Sequence, residues 1–276
     1  MKIQERKKRL EKKKMAKLVD KLWNWGHLEG SHYKYSEAFH NCSMTPEQFA
    51  EEYGIRNAFM VSYGGNICPP FDEFAKRFSG LREIKWSVLG DASTPLPEER
   101  LGYTDAVIDA VQISSNITGG VMDDFFAPKR MERFTPEVLK EMKAALNAKG
   151  LDFWCVLYDE NLHLELEKYI ECFDGISFWI WESQNIEHME EYLEKVFKLT
   201  QGKPLMCGIY TWDFSPAKRE IDSAVFERQL KHYFNLILEK KIEGMIVCSS
   251  TIGDADLETN RILKRYIAEY GDREIK

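Results

Sequence analysis

The sequence predicts a single-domain (β/α)8 barrel of the α/β class. The first observation is an alternation of short apolar, aromatic runs with longer amphipathic stretches along all 276 residues. The second is their spacing: starts of successive runs lie 24 to 40 residues apart, room for one strand, one helix and two loops each. The third separates the barrel from an open doubly wound sheet. No Gly-rich dinucleotide turn follows the first run, and eight units fill the roughly 250 residues of a typical barrel.

The eight runs place strands over residues 22–27, 58–63, 84–89, 118–123, 151–158, 175–181, 204–212 and 244–249. Stretches such as Met245-Ile-Val-Cys are apolar throughout, as strands covered on both faces must be. Helices fall between them. Residues 45–54 carry Thr45 as cap, Pro46 in the first turn and Gly54 as stop, and residues 134–150 repeat this with Thr135, Pro136 and Gly150. Residues 70–78, 97–114, 160–172, 187–200, 217–241 and 254–270 complete the set. No linker divides the chain, so the barrel is expected over residues 22–276, preceded by a basic helical extension over residues 1–21.

Composition narrows the function. Hydrophobic residues make up 44% and charged residues 30% of the chain, which suits a large core and excludes wholesale disorder. The net charge of −7 is unevenly spread: residues 1–21 hold ten Lys/Arg against three acids, leaving −14 on the rest. An acidic body argues against nucleic acid as a partner. The extension is expected to be a solvated helix covering the barrel bottom, with Leu10, Met15, Leu18 and Leu22 as a thin apolar stripe, and no membrane partner is expected. No secretory signal or membrane-spanning run is evident, and six cysteines are too few for a disulfide scaffold, so a cytoplasmic location with reduced thiols is expected.

In a barrel the chemistry sits where strands end. Those ends are crowded with carboxylates and aromatics: Trp25 and His27 after strand 1, Asp91 after strand 3, Asp123 and Asp124 after strand 4, Tyr158 after strand 5, Trp181 and Glu182 after strand 6, and Tyr210 and Trp212 after strand 7. Aromatic faces at a wet rim suit the C–H faces of sugars, with carboxylates accepting from hydroxyls. Glycosidic cleavage needs an acid and a nucleophile or base, both of which carboxylates supply without a cofactor. Asp123 and Asp124 stand two strands from Glu182, close enough to converge on one pocket. Pleat alternation leaves open which aspartate faces it. Ser177, Trp179 and Trp181 are expected to point inward, opposite Ile176, Phe178 and Ile180.

The stretches VMDDFF, WIWES and YTWD at these strand ends resemble the signatures of (β/α)8-barrel glycoside hydrolases. The strand-4 and strand-6 acids are similar to the pair of the α-galactosidase clan, with Glu182 in place of the usual aspartate. The resemblance implies that Asp123 or Asp124 is the nucleophile or base and Glu182 the general acid. Trp25, His27, Asp91, Tyr158, Trp181, Tyr210 and Trp212 would then form the sugar subsite of a glycosidase acting on a small oligosaccharide or glycoside. Two further readings use the same rim. A metal-dependent sugar isomerase or epimerase would bind a divalent ion through His27, Asp124, Glu182 and Asp213, and a carbohydrate-binding barrel would lack catalysis. His27, Glu29, His32, His40 and Cys42 are of metal-ligating types, but their spacing matches no standard site.

Overall fold

The computed structural model describes residues 15–275. Eight strands, β1 (Leu22–Gly26), β2 (Asn57–Met60), β3 (Glu83–Leu89), β4 (Ile117–Met122), β5 (Asp152–Tyr158), β6 (Gly175–Trp179), β7 (Leu205–Tyr210) and β8 (Gly244–Cys248), pair in chain order. All neighbours are parallel, and β8 returns to β1 with Trp25 opposite Cys248, which closes the barrel. Around it lie α1 (Pro46–Tyr53), α2 (Asp72–Arg77), α3 (Thr104–Val111), α4 (Pro128–Arg133), α5 (Pro136–Asn147), α6 (Glu167–Ile170), α7 (Met189–Thr200), α8 (Ser223–Leu238) and α9 (Glu258–Tyr270). No helix among the described residues is long and apolar enough to cross a membrane.

Every expected strand is present, usually ending one to three residues early. The caps read from sequence form as chemistry requires: Thr45 Oγ accepts from the Gln48 amide, the Gln48 side chain accepts in return, and Gly54 ends α1 at φ 71°. Three expectations change. Residues 160–172 split into a 3-10 turn (Asp159–His163) and the single turn of α6. An additional helix, α4, starts at Pro128 inside the loop after β4. The helix expected over residues 1–21 lies largely outside the described residues. Its described end is a 3-10 turn (Leu18–Lys21), because Leu22 leaves the stripe to open β1 while Leu18 buries against the helices.

Pleat alternation divides the core in two. Ile176, Phe178 and Ile180 face the helices as expected, whereas Trp23, Trp25, Phe59, Trp154 and Trp179 fill the barrel. Large indoles fit there because glycines stand opposite them. A Cβ on Gly175 would meet Trp154, and one on Gly208 would meet Trp179. The barrel is thus plugged by aromatics, and open space remains only above and below the plug.

Candidate active site

Above the plug, at the C-terminal ends of the strands, lies a cavity of about 640 Å3. That size is typical of small-ligand sites. Of the residues expected at a site, Trp25, His27, Asp91, Asp123, Asp124, Tyr158, Trp181 and Tyr210 line it. Glu182 and Trp212 do not. Trp212 is only 8% exposed and packs edge-on against Phe39, ring centres 5.0 Å apart. Glu182 stands beyond the end of β6, just before the 3-10 turn Ser183–His188, and accepts from the Gln184 side-chain Nε2 at 2.6 Å. The acid that reaches the wall is Glu160, from the loop after β5.

Both strand-4 aspartates face the cavity, which alternation alone would forbid. Asp123 follows the inward set of β4 and is 3% exposed. Asp124 adopts a left-handed conformation at φ 45°, which turns its carboxylate back over the same space. Aspartate tolerates that region better than most residues, and two donors hold it there. The Ala92 amide donates to Oδ2 at 2.8 Å and the Tyr158 hydroxyl to Oδ1 at 2.9 Å. Behind the pair stands Arg130 of α4, 5% exposed, which donates to the carbonyls of Gly90 (2.6 Å), Asp123 (2.8 Å) and Asp91. Its guanidinium ties the ends of β3 and β4 together and makes no ion pair among the described residues.

Electrostatics distinguishes the acids. Burial, followed by the charges of Asp124 and Asp91, pushes the Asp123 carboxyl well above the usual carboxylate range. Burial also raises Asp124, opposed by its two hydrogen bonds. Glu160 is raised by burial and by the charges of Asp159, Asp124 and Glu182. Asp91 is held in its loop, accepting from Thr94 Oγ1 at 2.7 Å, Ser93 Oγ at 2.6 Å and the Gly64 amide at 3.1 Å.

Aromatic rings form the adjoining wall. Tyr158 and Trp181 meet edge to face at 5.9 Å, Trp181 and Tyr210 at 5.7 Å, and Tyr210 and Phe214 at 5.9 Å. Trp181 is held by Asp159, which accepts its amide at 2.9 Å and the Asn185 side chain at 2.9 Å. His27 sits across the cavity, 4.9 Å from His32 ring to ring, and burial lowers it to about 4. Its Nδ1 has no partner. His32 turns away to Thr251 and to Ser249 Oγ at 3.2 Å, so the loop after β8 spends its hydroxyls on the fold.

Expected metal ligands do not converge. Among the described residues no three His, Cys, Asp or Glu side chains gather as a metal-holding group. Glu29 pairs with Arg77 at 3.0 Å, and Asp213 accepts from the Ser183 side chain and from the Ser215 amide at 3.0 Å, stapling the loops after β6 and β7. His32, Lys34, Tyr35, Tyr63, Phe126, Asn161, Phe214 and Cys248 join the cavity although the sequence reading did not assign them. Most stand within a few residues of a strand end, which was the available signal.

No family model matches the chain, and no curated protein matches it. Solved structures do. A chitinase from Chromobacterium violaceum superposes with a TM-score of 0.56 at 10% identity, covering 90% of this chain and 98% of its own. A GH113 β-1,4-mannanase gives 0.55 at 10% identity, covering 92% and 99%. A zinc-bound amidohydrolase from Burkholderia multivorans gives 0.58 at 9% identity, covering 90% of both chains. The barrel fold is shared with glycoside hydrolases and with a hydrolase of other chemistry, and at these identities the likeness concerns the fold alone. The particular acid pairing of the α-galactosidase clan has no counterpart on the cavity wall, since Glu182 lies outside it.

Proposed function

We propose that the protein is a glycoside hydrolase that cleaves a glycosidic bond in a small, sugar-containing substrate. The observation that carries this reading is the set of Asp123, Asp124 and Glu160, which line one cavity beside an aromatic wall and have no cationic partner within ion-pair distance among the described residues. These face open space of ligand size.

Asp124 is the nucleophile or base. Tyr158 and the Ala92 amide fix its orientation, and their hydrogen bonds favour the ionised form that attacks the anomeric carbon or takes a proton from water. Glu160 is the general acid. Exposed at the mouth, where a leaving group departs, and raised by neighbouring acids, it can deliver a proton to the glycosidic oxygen. Asp123 lies beneath them, its carboxyl raised by burial, and offers a substrate hydroxyl a hydrogen-bonding partner. Trp181 and Tyr210 offer faces to the ring, and the neutral His27 lines the same cavity. Glu182 contributes charge close to Glu160 and is the competing acid.

The test is hydrolysis of a panel of aryl glycosides, α and β, by the wild type and by Asp124→Asn. The reading expects turnover of at least one glycoside and its loss by about 10³-fold or more in a folded Asp124→Asn. Equal turnover by the two proteins, or no turnover of any glycoside, removes it.

A further inference from the structure

The polar groups of the cavity are segregated by sign. Its carboxylates come from the ends of β3 to β5, and its one lining cation, Lys34, comes from the loop after β1. In a closed ring of eight strands β5 is diametrically opposite β1. Strands about 4.8 Å apart and tilted about 36° give a ring roughly 15 Å across.

Lys34 is held without being neutralised. Its Nζ lies 4.8 Å from the centre of the Tyr63 ring and 5.6 Å from that of Tyr35, and no carboxylate lies within 4.0 Å among the described residues. Of the acids in the same loop, Glu29 is taken by Arg77 at 3.0 Å, and Glu37 makes no ion pair with the lysine. The hydroxyls of Tyr63 and Tyr35 are hydrogen-bonded at 2.8 Å, which sets the Tyr35 hydroxyl beside the lysine. Lys218 adds a second ammonium 5.8 Å from the Tyr35 ring. Next to them His27, 4% exposed, lines the cavity, and its buried Nδ1 has no partner among the described residues. An ammonium and a tyrosine hydroxyl thus share the wall on the β1 side of the cavity, across the ring from Glu160.

We propose that the substrate carries an anionic substituent, a carboxylate or a sulfate or phosphate ester, and that Lys34 with the Tyr35 hydroxyl receives it. The proposal deepens the glycosidase reading and rests on it for the identity of the ligand as a sugar. A neutral sugar would leave Lys34 facing a cavity of carboxylates with no group to bind. An anionic one is drawn to the ammonium of Lys34, and so enters with its opposite end toward Asp124 and Glu160. The charge pattern sets orientation as well as affinity.

Sugar binding can be read separately from cleavage, through the fluorescence of Trp25 and Trp181 on the cavity wall. The probes are D-glucuronate, D-glucose 6-sulfate, D-glucose 6-phosphate and D-glucose, with the corresponding galactose series. The wild type at low salt should bind at least one anionic sugar about tenfold more tightly than its neutral parent, as a charge-assisted contact in a cavity allows. The anion that gains most identifies carboxylate or ester. Lys34→Met, at an exposed position that should not disturb folding, should bring that anion to the affinity of the neutral sugar and leave the neutral sugar unchanged, and Tyr35→Phe should lose part of the advantage. Raising salt should shrink the preference in the wild type. Equal binding of anionic and neutral sugars, binding of none, or a preference that survives Lys34→Met overturns the proposal. Aryl-glycoside turnover that depends on Asp124 would leave the glycosidase reading standing in that event, and its absence would remove that reading instead.

Discussion

The barrel has an opening at each end, and the two are built on opposite electrostatic principles. At the bottom the charges are matched. Lys85, 5% exposed inside β3, meets Asp152 at 2.6 Å and Thr118 Oγ1 at 3.1 Å and lies 5.7 Å from the Trp23 ring. Around it Lys21 pairs with Glu243 at 3.2 Å, Lys17 with Asp272 and Arg82 with Asp20. At the top Asp123, Asp124 and Glu160 have no cation within ion-pair distance among the described residues, and the nearby Arg130 gives its hydrogen bonds to carbonyls. A surplus of buried like charge costs stability, so a fold that neutralises one end and leaves the other unpaired marks the second as the end with work to do.

Each prediction breaks one side of that contrast. The largest effect belongs to Asp124→Asn, which keeps the size of the side chain while removing the charge. Activity should fall about 10³-fold or more with the fold intact, to be checked by steady-state kinetics beside circular dichroism.

Arg130→Met comes next. It leaves three carbonyls without their donor, for a loss of roughly 4 kcal/mol by urea denaturation, and loosens the strand ends that carry the acids. It also removes the positive charge that lowers Asp123 and Asp124. The acid limb of any pH–rate profile should therefore move to higher pH. An unmoved limb would mean that Arg130 serves packing only.

A third effect is on stability against pH. Burial holds His27 at about 4 in the fold, against 6.5 when exposed, so the unfolded chain takes up this proton first as pH falls. Stability should decline from pH 6.5 to about 4, by about 3 kcal/mol from this group, and level off below. His27→Asn should make the decline shallower, with His32, also lowered by burial, accounting for part of what remains. Denaturation midpoints at pH 7 and pH 4.5 measure it. The smallest effect is expected at the bottom. Lys85→Met removes one half of a pair whose other half, Asp152, is 37% exposed, and should cost about 1–2 kcal/mol with no change in turnover. A drop in activity with stability preserved would contradict the division of labour between the two ends.

The barrel was legible because strands buried on both faces are written as apolar runs, and nothing in this chain competes with that pattern. The strand-4 acids were legible for the same reason: they follow the run directly. What alternation could not decide was their direction, because Asp124 leaves the pleat at φ 45°. Glu182 shows the same limit more sharply. β6 ends at Trp179, so the glutamate stands three residues into a loop, and the turn over Ser183–His188 sets its direction. Glu160 was visible in the strand-5 end but fell within an expected helix over residues 160–172, which the 3-10 turn replaces. Trp212 was misplaced because β7 stops at Tyr210 and Phe39 offers it a packing partner.

The central claim is that the carboxylates left unpaired on the cavity wall perform the reaction, with Glu160 as proton donor. Leaving-group dependence tests it most directly, by comparing Glu160→Gln with Glu182→Gln on a dinitrophenyl glycoside and an alkyl glycoside of the sugar the wild type cleaves. A proton donor matters most for the poor leaving group. Glu160→Gln should keep most of its rate on the dinitrophenyl substrate and lose about 10²-fold or more on the alkyl one, while Glu182→Gln behaves like wild type on both. The reverse pattern, or equal losses on both substrates for Glu160→Gln, would contradict the assignment.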